Sequence, residues 1–215
     1  VVVADDEGRE NEGDLVCAAS KATPEIINFM ASNAKGLVCV PITEERAKAL
    51  KIHRPPATDR FNTAFCESVD VLEGATTGIS AYDRAKTIAA LIDPDSTRED
   101  FASPGHIFPI SARPGGVLQR TGHTEASVDL ARLAGLCPAG VLCEIMSSDG
   151  TMARIPQLVE FKNKHKLKFC SVAALVEYRR RTEKIVRRIQ TVKLPTRHGL
   201  FTLHLYQTLT DSSTH

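Results

Sequence analysis

The chain begins Val1-Val2-Val3-Ala4-Asp5-Asp6-Glu7-Gly8-Arg9-Glu10-Asn11-Glu12-Gly13-Asp14, a β-branched run that breaks directly into charge. Consecutive valines favour a buried strand. The stretch Asp5 to Asp14 holds six carboxylates, one arginine and two glycines. Like charges so close repel and raise one another's pKa, so a fold keeps them only in solvent, against a cation, or for proton transfer. Composition alone favours a solvated acidic loop. Two details point elsewhere. The carboxylates leave the carboxyl end of a strand, where α/β sheets place their sites, and Gly8 and Gly13 let the backbone turn tightly or approach a ligand.

Outward from that stretch, 215 residues with 42% hydrophobic content can build one sizeable core with a small appendage, since a domain takes about 100–200 residues. A net charge of +1 gives no overall pull toward nucleic acid or membrane, but the charge is uneven. Tyr178 to Lys193 carries Arg179, Arg180, Arg181, Lys184, Arg187, Arg188 and Lys193 against a lone Glu183. Such a basic helix could touch RNA or phospholipid, although a solvated helix face explains it as well. No aromatic residues beyond Tyr178 interleave for stacking on bases. The six cysteines form no Cys-x-x-Cys and no zinc-like grouping, which suits a reducing compartment and a cytoplasmic location. There is no signal peptide and no apolar stretch of membrane-spanning length. The chain starts inside a strand without an initiator Met, so its natural amino terminus is expected further upstream.

Helix and strand signals alternate. Thr23-Pro24-Glu25 predicts a capped helix over Ile26, Ile27 and Met30, closed by Gly36. Leu37 to Ile42 reads as a strand, Thr43 caps a short helix to Leu50, and Asn62 to Val69 alternates like a strand. Ser80 with Asp83 predicts a capping box and a helix through Leu91. Thr124 caps a helix stopped by Gly135, and Val141 to Ile145 reads as a strand. Pro156 opens another helix, Leu167 to Cys170 a short strand, and Ser171 a long last helix with Leu175, Tyr178, Thr182, Ile185 and Ile189 on one face. Together these make a mixed α and β domain with one core over residues 1–190. From 191 to 215 the pattern becomes a linker and the first strand of something else.

Four segments carry polar residues that packing does not require. The first is the acidic run. The second, Ser103-Pro104-Gly105-His106, reads as a turn presenting one imidazole; most loop histidines are plain surface residues. The third, Arg120-Thr121-Gly122-His123-Thr124-Glu125, leads a cation, a glycine and a histidine into a helix amino terminus, an anion site by its N–H groups and dipole and equally an ordinary helix start. The fourth is Cys143-Glu144, a carboxylate in an apolar strand, either at the strand's end or buried, where acid/base groups are found. Carboxylates and a histidine for a hard metal, an arginine with a helix terminus for a phosphate, and a proton-transfer pair describe metal-assisted chemistry on a sugar phosphate.

These segments, with Gly74-Ala75-Thr76-Thr77-Gly78-Ile79-Ser80, Pro104 to Pro109, Gly122 to Ala126 and Gly140 to Glu144, closely resemble the 3,4-dihydroxy-2-butanone 4-phosphate synthases of riboflavin biosynthesis. The resemblance spans roughly Val1 to Tyr178. The tail Leu194-Pro195-Thr196-Arg197-His198-Gly199 resembles the opening of GTP cyclohydrolase II, whose metal-binding and catalytic parts are absent here, so no cyclohydrolase activity is implied. What the resemblance implies is an α+β fold of three layers, α/β/α, around a mixed twisted sheet. It also implies conversion of D-ribulose 5-phosphate to L-3,4-dihydroxy-2-butanone 4-phosphate and formate by a homodimer. Mg²⁺ is the implied cofactor, two ions per site, with Mn²⁺ a substitute because one ligand is a histidine. Neither nucleic acid nor membrane is an implied partner, and a plant source would place the enzyme in the plastid stroma.

Carried over by motif, Glu10 and His123 look like the metal ligands. Arg9, Glu10, Asp14, Arg120, Thr121, Gly122, His123, Thr124 and Glu144 look like substrate contacts, and His106, Glu144 and Asp14 like the catalytic set. Three positions depart from the family pattern: Ser103 and Thr121, where arginine and glycine are common, and Tyr82, at a position usually small or charged. A noncatalytic platform for a cyclohydrolase domain is the rival reading, disfavoured by the presence of Glu10, Asp14, His106, His123 and Glu144. RNA binding through the basic helix is a weaker one.

Overall fold

The computed structural model describes residues 1–58 and 60–208. Seven strands form one mixed sheet: β1 Val2–Ala4, β2 Gly13–Ala18, β3 Cys39–Thr43, β4 Val69–Val71, β5 Phe101–Ala112, β6 Gly140–Glu144 and β7 Phe169–Ser171, in the order β4-β5-β3-β6-β2-β1-β7. β3 pairs parallel with β5 and β1 with β7, while β1–β2, β2–β6, β3–β6 and β4–β5 are antiparallel. Among the described residues, six α-helices cover it: α1 Pro24–Phe29, α2 Glu44–Ala49, α3 Ala81–Ile92, α4 His123–Leu133, α5 Ile155–Lys164 and α6 Val172–Thr182.

The pleat sorts the apolar side chains into two layers, because successive strand residues face opposite ways. Val2, Leu15, Val40, Ile42, Ile107 and Val141 pack with Ile27 of α1, Ala47 of α2, Ile88 and Leu91 of α3 and Leu158 of α5. Val3, Val16, Ile110 and Leu142 pack on the other face with Ala126 of α4 and Val172 and Leu175 of α6. The result is the α/β/α sandwich implied by the family resemblance. Fully buried residues such as Ile27, Ile42, Leu50, Ile88 and Leu91 each contribute roughly 1.5–3 kcal/mol relative to exposure.

Caps at Thr23, Thr43, Ser80 and Ser171 form as the sequence predicts, each side chain accepting from the backbone N–H three residues on. Other expectations change. α1 widens into a π-turn over Met30–Ala34, and Lys35, not Gly36, takes the left-handed conformation that ends it. The segment Asn62 to Val69 is mostly irregular, with a single bridge at Phe65 and β4 only from Val69. The Ser80 box is half formed, since Asp83 turns its carboxylate to Thr76 and Gly78. Residues 103–106 are not a turn but part of the long strand β5. At α4 the N-cap is Gly122 rather than Thr124.

The basic run is divided between two elements. α6 ends at Thr182, and Val186–Thr196 is a strand, β8, paired antiparallel with β9, Gly199–Thr208. Lys184 to Lys193 therefore do not share a helix face with Arg179 to Arg181. What reads as a linker at Leu194-Pro195-Thr196 is strand, and the turn falls at Arg197-His198. The end of the 191–215 segment, residues 209–215, lies outside the described residues. Among the described residues, no helix is long and apolar enough to cross a membrane.

Candidate active site

The acidic run is the connection between the antiparallel strands β1 and β2, and Asp5 organises it. The buried Asp5 carboxylate accepts from the backbone N–H of Glu10 at 3.2 Å and of Glu12 at 3.0 Å, closing the loop on itself. Arg9 lies 3.8 Å from Asp5 and 3.5 Å from Glu10, and its guanidinium also donates to the Thr121 carbonyl. Arg154, at the start of α5, donates to the Glu10 carbonyl at 2.9 Å and to that of Asn11. This is a built loop, not a loosely solvated one.

Register then sets the carboxylates side by side. Asp14 in β2 is the direct partner of Glu144, which ends β6. His123 opens α4 from above the same face, with Nδ1 3.6 Å from a Glu10 oxygen and 3.9 Å from Asp14. Its ring is buried and Nε2 has no partner among the described residues. Glu10, Asp14, His123, Thr124, Arg120 and Glu144 line one cleft of about 200 Å³.

The electrostatics follow from burial and crowding. Burial pushes the Asp14 carboxyl up to about 7, aided by Glu144, Glu10 and Glu12 and opposed by His123. Burial alone would drive the His123 imidazolium down, but Asp14, Glu10 and Asp5 outweigh it and hold its pKa at about 9. Glu10 is lowered, chiefly by its contact with His123, and Glu12 is raised by burial and by Glu10. The crowded carboxylates around His123 thus favour positive charge at this point. A divalent cation could take the imidazolium proton's place. Asp5, Glu10 and His123 each offer a ligand atom within 4.8 Å of the others, although Asp5 is already committed to backbone N–H groups. The Nδ1 that faces these carboxylates and the oxygen-rich neighbours fit a hard cation that tolerates one imidazole.

Glu144 answers the question left open by its strand: it stands at the end, half-buried, with Oε2 accepting from the Leu37 N–H at 2.8 Å. That grip depends on Gly36. A Cβ there would lie 2.4 Å from the Glu144 carbonyl oxygen and 2.5 Å from Oε2. Gly36→Ala should therefore displace Glu144, lowering activity and costing about 1–3 kcal/mol of stability, read as a lower denaturation midpoint. Wild-type values for both would show that the approach has slack.

The remaining predicted site residues are placed less simply. Arg120 is largely spoken for: Nη1 pairs with the buried Glu125 at 2.7 Å, and Nε and Nη2 donate to the Phe61 carbonyl and the Thr63 hydroxyl. It ties residues 61–63 to the cleft, with Gly122 leaving room for Arg120 and Arg9 to pass close by. Thr121 is exposed and faces a second, larger cavity of about 650 Å³ walled by Val172 and Val176 of α6. His106 is not in the cluster. Phe108 and Leu142 both stand opposite Cys39, so His106 and Glu144 lie at one end of the sheet on β5 and β6, two strand spacings or about 10 Å apart. Of the departures, Ser103 bonds Glu67 and the Ser68 carbonyl, and Tyr82 is exposed. Sequence reasoning counted Asp5 only as part of the acidic run and Gly36 only as a helix stop, and missed Asp70; their partners lie elsewhere in the chain or in the backbone.

Carboxylates converging on one imidazole at strand ends, beside a helix amino terminus flanked by two arginines, define an α/β enzyme with an acidic, cation-accepting cleft. Residues 1–178 match the family described as 3,4-dihydroxy-2-butanone 4-phosphate synthase, and the chain belongs to that family. A riboflavin biosynthesis protein RibBA from Aquifex aeolicus is 57% identical over 211 residues, 96% of this chain and 52% of the relative. The chain thus spans about half of that relative's length. A two-domain synthase of the family, RibBX from A. baumannii, superposes with a TM-score of 0.92 at 46% identity, covering 100% of this chain and 64% of that one. A second family structure, solved in complex with two magnesium ions, has a TM-score of 0.80 at 40% identity and covers 85% of this chain and 91% of its own.

Proposed function

We propose that this chain converts D-ribulose 5-phosphate to L-3,4-dihydroxy-2-butanone 4-phosphate and formate. The observation that carries the reading is the His123 ring, buried with an Nε2 unpartnered among the described residues and with Nδ1 facing Glu10 and Asp14. A packed core has no use for that arrangement. Glu10 and His123 would hold Mg²⁺ or Mn²⁺, two ions per site being supported by the family structure solved with two magnesium ions. Bound there, the cation supplies positive charge to oxygens beside the substrate carbonyl.

The protein's own groups do the rest. The first turn of α4 and the arginines beside it favour the substrate's phosphate. Asp14, buried and with its pKa near 7, is suited to take and return a proton near neutral pH. Glu144 is aimed by the Leu37 N–H and lies against Asp14, so that removal of the C1 proton, loss of water and release of C4 each have a carboxylate at hand. His106 serves a proton transfer at the far end of the same sheet edge. The working form is proposed to be a homodimer, and all six cysteines are free thiols, in keeping with a cytoplasmic location or, in a plant, the plastid stroma. Formate release from ribulose 5-phosphate tests the reading: it is expected with Mg²⁺ and abolished by chelation. No formate with either Mg²⁺ or Mn²⁺ would overturn it.

A further inference from the structure

The contact between Asp70 and His106 is built more carefully than a surface ion pair requires. Asp70, in β4, grips the histidine at two points: Oδ1 accepts from the His106 backbone N–H at 2.9 Å, and Oδ2 lies 2.6 Å from Nδ1. A carboxylate only accepts, so in the neutral ring the proton sits on Nδ1 and Nε2 keeps a free lone pair. The Asp70 side chain is 14% exposed and that of His106 42%. The carboxylate is sheltered while the ring reaches outward.

Glycines make the fit possible. A Cβ on Gly105 would stand 2.1 Å from the Val69 carbonyl carbon, and one on Gly78 would stand 2.1 Å from Asp70 Oδ2 and 2.6 Å from His106 Nδ1. Gly78, at φ +88°, is held by its N–H to Asp83 at 3.2 Å, and the same carboxylate takes the N–H and hydroxyl of Thr76. The glycine- and threonine-rich run from Gly74 to Ser80 is thus anchored on the first turn of α3, from which it lays bare backbone against the Asp–His pair.

We propose that Asp70 is a positioning residue for His106, fixing its tautomer and aiming Nε2 for proton transfer. The proposal rests on the reading of His106 as a proton-transfer group. When Nε2 takes a proton from substrate, the ring becomes an imidazolium and Asp70 stays a carboxylate beside it; returning the proton restores the starting tautomer, and nothing else is consumed.

The test compares Asp70→Asn, Asp70→Glu, His106→Ala and the Asp70→Asn/His106→Ala double variant in the full chain with Mg²⁺. Asp70→Asn is expected to lower kcat by about 10²–10⁴-fold, up to the scale of removing a histidine's carboxylate partner in an acid/base pair, with KM little changed. Asp70→Glu should recover part of the loss, and the double variant should be no slower than His106→Ala alone. A wild-type kcat in Asp70→Asn, or fully additive losses in the double variant, overturns the proposal. If His106→Ala itself runs at the wild-type rate, the reading of His106 fails first. Long-range ¹H–¹⁵N spectra of the unmutated protein give an answer that needs no variant to fold: the Nδ1–H tautomer is expected, and an Nε2–H tautomer sinks the idea.

Discussion

Glu10→Gln is expected to abolish formate release while leaving the fold intact. The loop is shaped by Asp5, which binds the backbone N–H groups of residues 10 and 12, and by Arg154, which binds the carbonyls of residues 10 and 11. None of these contacts uses the Glu10 side chain, whose own approaches to Arg9 at 3.5 Å and His123 at 3.6 Å are long. A glutamine keeps its size and loses its charge, and a neutral amide is a poor ligand for a hard cation. The loss in turnover should reach roughly 10²–10³-fold or more, the scale of removing one preorganised electrostatic contact, with the denaturation midpoint near that of the wild type. Metal affinity gives an independent readout. A cation must displace the proton that His123 holds with a pKa of about 9, so Mg²⁺ affinity should climb as pH rises from about 7 toward about 9, with proton release on binding. The sign is fixed by the imidazolium: below its pKa the proton competes with the cation, and above it the site is free. Calorimetry in buffers of different ionisation enthalpy measures both effects. Wild-type turnover in Glu10→Gln at limiting Mg²⁺, or binding indifferent to pH across that range, would remove Glu10 and His123 from the metal site.

Much of this site could be read from the sequence because its parts are locally improbable. Charge following a valine run, glycine before His123 and an acid ending an apolar strand each stand out within a few residues. The caps at Thr23, Thr43, Ser80 and Ser171 were legible for the same reason, since a cap acts within one turn. What escaped depends on distance along the chain. Gly36 matters because Glu144 approaches it, and Asp70 because His106 does; neither neighbour lies within thirty residues. Strand β2 was hidden in the acidic motif: Leu15, Val16 and Cys17 are covered on both faces of the sheet and show no alternation. The start of β5 was masked by Pro104 and Gly105, which a strand tolerates where pairing lapses, and the β4–β5 register does shift at that point. Ile185 and Ile189 fell by coincidence on the helical spacing of α6, but the chain had already left the helix at Thr182.

His106→Ala and Glu144→Gln test the proton transfers, and their contrast is informative because the structure keeps them apart. Glu144 borders Asp14 in the cleft, with its carboxylate fixed by the Leu37 N–H. His106 stands two strands away at the same end of the sheet, held by Asp70. Neither substitution removes a buried apolar group, and Glu144→Gln leaves an oxygen able to accept from Leu37, so both proteins should fold. Acid/base groups contribute roughly 10²–10⁴-fold each, and each variant should lose turnover on that scale while still binding substrate and metal. Their places in the sequence of steps can be separated by following exchange of the substrate's C1 proton with deuterated solvent by NMR. Glu144 lies in the cleft with the proposed metal ligands, so Glu144→Gln is expected to impair exchange and formate release together. The more distant His106 is expected to act after enolisation, so that His106→Ala still exchanges C1 but releases little formate. The reverse pattern would exchange the two assignments. Wild-type formate release in both variants would leave the reaction without its proposed acid and base, because Glu144 and His106 are the groups to which these transfers are assigned.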